Sequence, residues 1–161
     1  MGLTFTRTSG AHANQIYATA DANHAGADDR HSVSGWAVLL NGAMVSWASK
    51  RQSVASIRST ESEFCSVSLC GLDCVYLRRM MDMMGCKQIA ATAIAQDNNA
   101  CIFLVKGSCM YNRGRHIDTR VYHIRELATG ATPEVKLLKI AGMEQPSDLF
   151  TKGLPMPAFE I

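Results

Sequence analysis

Asp21, Glu63, Asp97 and Asp148 are far apart along a chain of 161 residues. Yet each stands at the end of an element that the sequence predicts. Asp21 closes an apolar strand over residues 15–21. Glu63 falls in the first turn of a helix over 60–84, Asp97 ends a strand over 87–96, and Asp148 opens a short helix begun by Pro146 and Ser147. Singly, each has an ordinary role. Asp21 and Asp97 could begin turns, Glu63 could close a capping box with Thr60, and Asp148 could face the positive end of its helix. Together they offer other chemistry. If strand ends and helix starts converge, four carboxylates repel one another unless cations neutralise them. An all-oxygen donor set suits Mg²⁺ or Mn²⁺ rather than zinc. Two such ions about 3.5–4 Å apart activate water and stabilise a leaving oxygen in phosphodiester cleavage.

The elements that must position these acids follow from pattern and turn chemistry. Residues 35–40 and 43–47 are apolar runs joined by Asn41-Gly42, a pair that accepts positive φ at both positions of a type I′ hairpin turn. With the first strand they make a three-stranded antiparallel sheet. Lys50, Arg51 and Arg58 lie in the segment leading out of it. In the long helix Phe64, Val67, Gly71, Cys74, Leu77, Met81 and Met84 recur at spacings of three and four, one face of a helix, and Gly85 is a terminator. Met80, Met81, Met83 and Met84 suit gap-filling core and edge positions. A short helix over 98–106 and a second amphipathic helix carrying Ile117, Val121, Ile124 and Leu127 come next. Residues 135–140 form a strand whose alternation slips, which suits a bulge or an edge position. The order is βββ-α-β-α-α-β-α, a mixed sheet with helices packed over it.

Composition narrows the classes. A hydrophobic content of 47% is enough for one domain with a core, and the formal net charge of +2 permits nucleic-acid binding without requiring it. No run of apolar residues is long enough for a membrane span, and no secretion signal opens the chain. The six cysteines lack the pairing of a metal site or the setting of a disulfide framework, so buried free thiols are expected.

Several stretches, taken in order, closely resemble the ribonuclease H domain at the end of the Pol polyprotein of copia-type (Pseudoviridae-like) retrotransposons. They are DANHAG from Asp21, NGAMVSWASKRQSVA through the hairpin, STESEF at 59–64, QDNNA at 96–100, GRHIDTRVYHIRE at 114–126 and SDLFTKGLP at 147–155. The resemblance implies a ribonuclease H-like α/β fold, a five-stranded mixed sheet with helices on both faces, spanning residues 15–153. Residues 1–14 would be an extension or linker and 154–161 a tail. Carried over, Asp21 and Asp97 are the first and third metal-binding acids. Glu63, directly before the aromatic residue, is the second, which leaves Glu61 at the surface or behind the metal ligands. Asp148 follows the last strand and is preferred as the fourth over Asp118, which precedes that strand. Asp118, His116 and Arg120 then become framework or substrate-side residues. The chain departs from the usual wording at Asn23, His24, Arg58, Asn99 and Cys101.

The activity so implied is hydrolysis of the RNA strand of an RNA–DNA hybrid with two Mg²⁺ ions, Mn²⁺ being a substitute. The parent setting would be a cytoplasmic virus-like particle or the nucleus, beside a reverse transcriptase domain. Lys50, Arg51, Arg58, Ser59 and Asn98 are the candidates for contacts to the nucleic-acid backbone. Two other readings stay open: a catalytically impaired domain that binds nucleic acid without cutting it, and an integrase-like nuclease on the same fold.

Overall fold

A computed structural model describes residues 3–6, 13–24, 31–53, 56, 58–107 and 115–153, and the side chains of all these except residues 115–118 and Met143. Strands β1 (Ile16–Asn23), β2 (Val33–Leu40) and β3 (Ala43–Arg51) form the antiparallel meander that the sequence predicts. Asn41 and Gly42 both take positive φ, 51° and 82°, as the hairpin requires. Helix α1 (Ser59–Met83) leads to β4 (Thr92–Gln96), α2 (Asn99–Lys106), α3 (Arg115–Thr129) and β5 (Val135–Lys139). Two 3₁₀ turns follow, Gly142–Glu144 and Pro146–Phe150. The sheet order is β3-β2-β1-β4-β5, with β4 parallel to both β1 and β5.

Alternation divides the sheet into two faces. Ala18, Ala20, Trp36 and Val38 point towards α1 and join Phe64, Val67, Cys70, Cys74, Val121 and Ile124 in the core. The opposite face at β1 and β2 carries Thr19, Asp21 and Gly35, and on it lies the 3₁₀ turn Pro146–Phe150. Gly35 makes that seat. A methyl group built there would stand 2.5 Å from Thr151 Cγ2 and 2.8 Å from Phe150 Cβ. Ser147 Oγ meets Thr19 Oγ1, and Ser49 Oγ donates to the Phe150 carbonyl at 2.6 Å, so the turn is tied to three strands.

Several expectations change. Thr60 and Glu63 do not form a capping box: Arg58 occupies the cap position of α1 without a side-chain hydrogen bond, and Glu63 turns inward. Gly85 does follow the helix at positive φ, but Met84 is 64% exposed because the helical stripe outruns the sheet beneath it. Of the methionines named for core and edge, Met81 is buried and Met83 is exposed. Strand β3 continues to Arg51, so Lys50 and Arg51 are strand residues rather than a lead-out. Strand β5 is an edge with unbroken register, and the irregularity falls instead between Val38 and Leu39 of β2. The last helix is a 3₁₀ turn, and Asp118 lies within α3. Of the two places expected for Glu61, burial removes the surface one. Among the described cysteines, Cys70, Cys74 and Cys101 are buried and free, while Cys65 and Cys86 are half-buried. A loop is expected from the sequence over Ser108–Arg115, but Arg115 already opens α3; residues 108–114, the tail 154–161 and most of the segment 1–14 lie outside the described residues.

The close fit at Gly35 makes it a sensitive position. Gly35→Ala must displace Thr151 and Phe150, and overpacking of this kind costs about 1–3 kcal/mol. In a chain of this size that lowers the thermal midpoint by roughly 2–10 °C. Circular dichroism melting would show it, and an unchanged midpoint would mean that the 3₁₀ turn is not held against β2.

Candidate active site

Sheet register alone places two of the four acids. In the parallel pairing of β1 with β4, Thr19 lies opposite Ala95, so Asp21 and Asp97 each stand two residues further on. Helix α1 supplies the third acid by crossing this end of the sheet. One helical turn beyond Glu63, Ser66 Oγ donates to the carbonyls of Asp21 (2.6 Å) and Gly35 (3.0 Å), which fixes the helix face that carries both residues. One carboxylate oxygen from each of Asp21, Glu63 and Asp97 lies within 4.8 Å of the other two. Asp21 and Glu63 are buried and Asp97 is half-buried.

Gln96 joins two members of the group. It is fully buried; its Nε2 donates to Glu63 Oε2 at 3.2 Å, and its Oε1 accepts from the backbone N–H groups of Asp97 (2.7 Å) and Asn98 (3.0 Å). Asn98 then caps α2 by accepting from Cys101 N at 3.0 Å. Lys139 Nζ donates to the Asp97 carbonyl, and a side chain at Gly142 would come within 3.2 Å of Asp97 Oδ2. Asp148 stands to one side of the three. Its Oδ1 accepts from Lys152 Nζ at 2.7 Å, and the same Nζ is 3.7 Å from Asp21 Oδ2. Thr151 Oγ1 also donates to Asp21 Oδ2.

The electrostatics follow from burial and crowding. Burial, then the charges of Asp21 and Asp97, push the Glu63 carboxyl up to about 8, against opposing pulls from Gln96 and Lys152. Burial also raises Asp21; Thr151 and Lys152 pull it back, and Asp148 adds to the rise. Cys101 is held protonated by burial and by the charges of Glu63 and Asp97. A group of carboxylates held this way, with one partly exposed lysine beside it, is short of positive charge. Its donors are all oxygen, so it could bind a hard divalent ion.

The other nominated residues lie elsewhere. Lys50 and Arg51 are exposed at the end of β3 and line a cavity of about 110 Å³ together with Gln52, Ser53, Cys65, Leu69 and Arg120. Arg120 donates to Cys65 Sγ at 2.9 Å. Arg58 and Ser59 are exposed at the start of α1 and do not line this cavity. Sequence reasoning passed over Gln96, Thr151, Lys152 and Gly35. Gln96 did leave a signal, a polar residue in the apolar run TAIAQ, which burial obliges to find partners.

This sheet, with its helices and with its acids gathered near one end of β1, β4 and α1, has the ribonuclease H fold. LC11-RNase H1, solved in complex with an RNA/DNA hybrid, superposes with a TM-score of 0.63 at 11% identity, covering 85% of this chain and 94% of that one. No family model matches the sequence. The Retrovirus-related Pol polyprotein from transposon TNT 1-94 of Nicotiana tabacum is 33% identical over 142 residues, 88% of this chain and 10% of the polyprotein. That from transposon RE1 of Arabidopsis thaliana is 28% identical over 147 residues, 90% of this chain and again 10% of the polyprotein. Over most of its length the chain is therefore a homologue of a segment of retrovirus-related Pol polyproteins, and it spans about a tenth of these relatives.

The raised carboxyls carry a stability signature. Glu63 titrates near 4.5 when unfolded and near 8 when folded, so between these values the folded chain binds the extra proton. Stability therefore falls as pH rises through this window and levels off above it, and the Asp21 shift has the same sign. Without divalent ions, unfolding at about pH 8.5 should need less denaturant than at about pH 5, by on the order of a few kcal/mol. Glu63→Gln should flatten the dependence. A pH-independent midpoint, or a slope unchanged in the variant, would contradict the burial of an ionisable Glu63 beside two carboxylates.

Proposed function

We propose that this domain is a divalent-metal-dependent endonuclease that hydrolyses the RNA strand of RNA–DNA hybrids. Its setting would be reverse transcription by a copia-type element, beside a reverse transcriptase domain. The observation that carries the proposal is the gathering of Asp21, Glu63 and Asp97 oxygens within 4.8 Å on a ribonuclease H fold. Homology to Pol segments supports the same reading.

Asp21, Glu63 and Asp97 would hold one ion, and Asp21 with Asp148 a second. Bound Mg²⁺ or Mn²⁺ supplies a water of lowered pKa and neutralises charge at the leaving 3′-oxygen. The chain's own residues prepare the site. Gln96 fixes the Glu63 carboxylate and the start of the Asp97 loop, so neither acid must be reoriented. Thr151 holds one oxygen of Asp21 and thereby aims the other. Burial of Asp21 and Glu63 keeps bulk water from competing as donor. The products would carry 5′-phosphate and 3′-hydroxyl ends, and the ribose 2′-hydroxyl would distinguish the RNA strand. Lys50, Arg51 and Arg120 around one cavity suit a backbone phosphate.

The test is cleavage of an end-labelled hybrid in Mg²⁺ and in Mn²⁺, with single-stranded RNA and duplex DNA beside it. Only the hybrid should be cut, and Asp97→Asn should lower the rate by at least about 10²-fold. A folded protein that binds hybrid and ion yet leaves the RNA intact would overturn the proposal. Arg120→Ala should weaken binding across all sequences and reduce the salt slope by about one counterion, with cleavage at saturation little changed.

A further inference from the structure

Four positions after Asp148, the chain places its own cation in the acid group. The backbone N–H groups of Thr151 and Lys152 both reach the Asp148 carbonyl, at 3.2 and 2.9 Å, so the chain turns sharply there and brings the Lys152 stem back over the acids. Its ammonium is 2.7 Å from Asp148 Oδ1 and 3.7 Å from Asp21 Oδ2. The other half of the group is different. Among the described residues, no lysine or arginine is seen within ion-pair distance of the Glu63 or Asp97 carboxylates; Glu63 is met by the neutral amide of Gln96, and Lys139 reaches only the backbone carbonyl of Asp97. The Lys152 side chain is 41% exposed while that of Asp21 is 3% exposed, so the lysine has a way out and the aspartate does not.

We infer that Lys152 is a tethered competitor for the Asp21–Asp148 pair, which makes the two ion-binding steps of this site unequal. The inference rests on the proposed metal-dependent function. An ion held by Asp21 with Asp148 must take the oxygens that the ammonium now faces, so its binding includes the displacement of Lys152. An ion held by Asp21, Glu63 and Asp97 faces the ammonium only at the longer 3.7 Å contact with Asp21, since neither Glu63 nor Asp97 pairs with it, and binds first. The lysine thereby does two things. It shields Asp21 and Asp148 in the metal-free fold, and it raises the ion concentration at which the second position fills.

Titration of metal-free protein with Mn²⁺, with free ion read by electron paramagnetic resonance, measures the steps without any nuclease assay. The wild-type chain should show two steps. In Lys152→Gln the weaker should tighten about two- to fivefold, the scale of losing one partly exposed ion pair, while the stronger moves little. Lys152→Arg keeps the charge and should keep the weak second step. In EDTA, Lys152→Gln should melt below the wild type, and Mn²⁺ should restore it. A weaker step unchanged in Lys152→Gln, or both steps tightening equally, would overturn the inference and leave the nuclease reading standing. No Mn²⁺ binding by the wild-type chain would overturn both.

Discussion

Three carboxylates share a space in which their oxygens approach within 4.8 Å, and two of them are buried. Like charges this close in a protein interior cannot all ionise without compensation, and the raised Glu63 and Asp21 carboxyls record that conflict. The surrounding chain answers it mostly with neutral donors, Gln96 and Thr151, and with one partly exposed lysine. None of these supplies a full charge to the Glu63–Asp97 side. A site arranged only for stability would exchange one acid for an apolar or amide group. This arrangement keeps the repulsion, and so keeps an affinity for added positive charge.

The backbone brings the conflict about with few devices. Parallel pairing of β1 with β4 sets Asp21 and Asp97 at matching positions two residues past the last Thr19–Ala95 pair of that ladder. The ladder is held rigid by the antiparallel partner β2, whose residue opposite Asp21 is Gly35. Because that residue has no side chain, the turn carrying Asp148, Thr151 and Lys152 can lie directly against the sheet. Ser66 completes the frame by tying α1 to the carbonyls of both Asp21 and Gly35. Two residues paired across one rung thus serve the carboxylate, the turn beside it and the helix that covers it.

What could be read in the sequence depended on whether the controlling interactions were local. Asn41-Gly42 specified its hairpin because the turn's own backbone demands those residues, and Gly85 marked the end of α1 for a similar reason. The position of Asp97 just past its strand was legible from the apolar run, whereas β1 continues two residues beyond Asp21, to Asn23, because pairing with β2 carries it on; the resemblance of scattered motifs supplied the order in which the acids belong together. Local rules misled where tertiary contacts decided. Thr60 and Glu63 have the spacing of a capping box, but Glu63 gains a buried partner in Gln96 and points inward. Lys50 and Arg51 follow the apolar run, yet strand pairing with Val33 and Ser34 continues through them. Gly35, Thr151 and Lys152 were silent because their roles exist only when segments more than a hundred residues apart are brought into contact.

The modest charge of +2 is easier to reconcile with the polyanionic substrate of the proposed function once its distribution is considered. An acidic site repels a phosphate backbone, so binding must be supplied by ions in the site or by cations beside it. Helix α1 separates these two environments. Glu63 belongs to the carboxylate group, while Cys65, two residues later and so turned about 200° around the helix, belongs to the cavity lined by Lys50, Arg51 and Arg120. On the proposed function, a backbone crossing the start of α1 would meet added cations on one side of the helix and fixed cations on the other. The fixed set gives affinity without lessening the carboxylate repulsion, because the helix stands between them. Scattering the same three basic residues among the acids would neutralise the cluster and weaken its hold on a divalent ion. On the proposed function, segregation across one helix would let a nearly neutral domain keep both a carboxylate-rich metal site and a grip on phosphate.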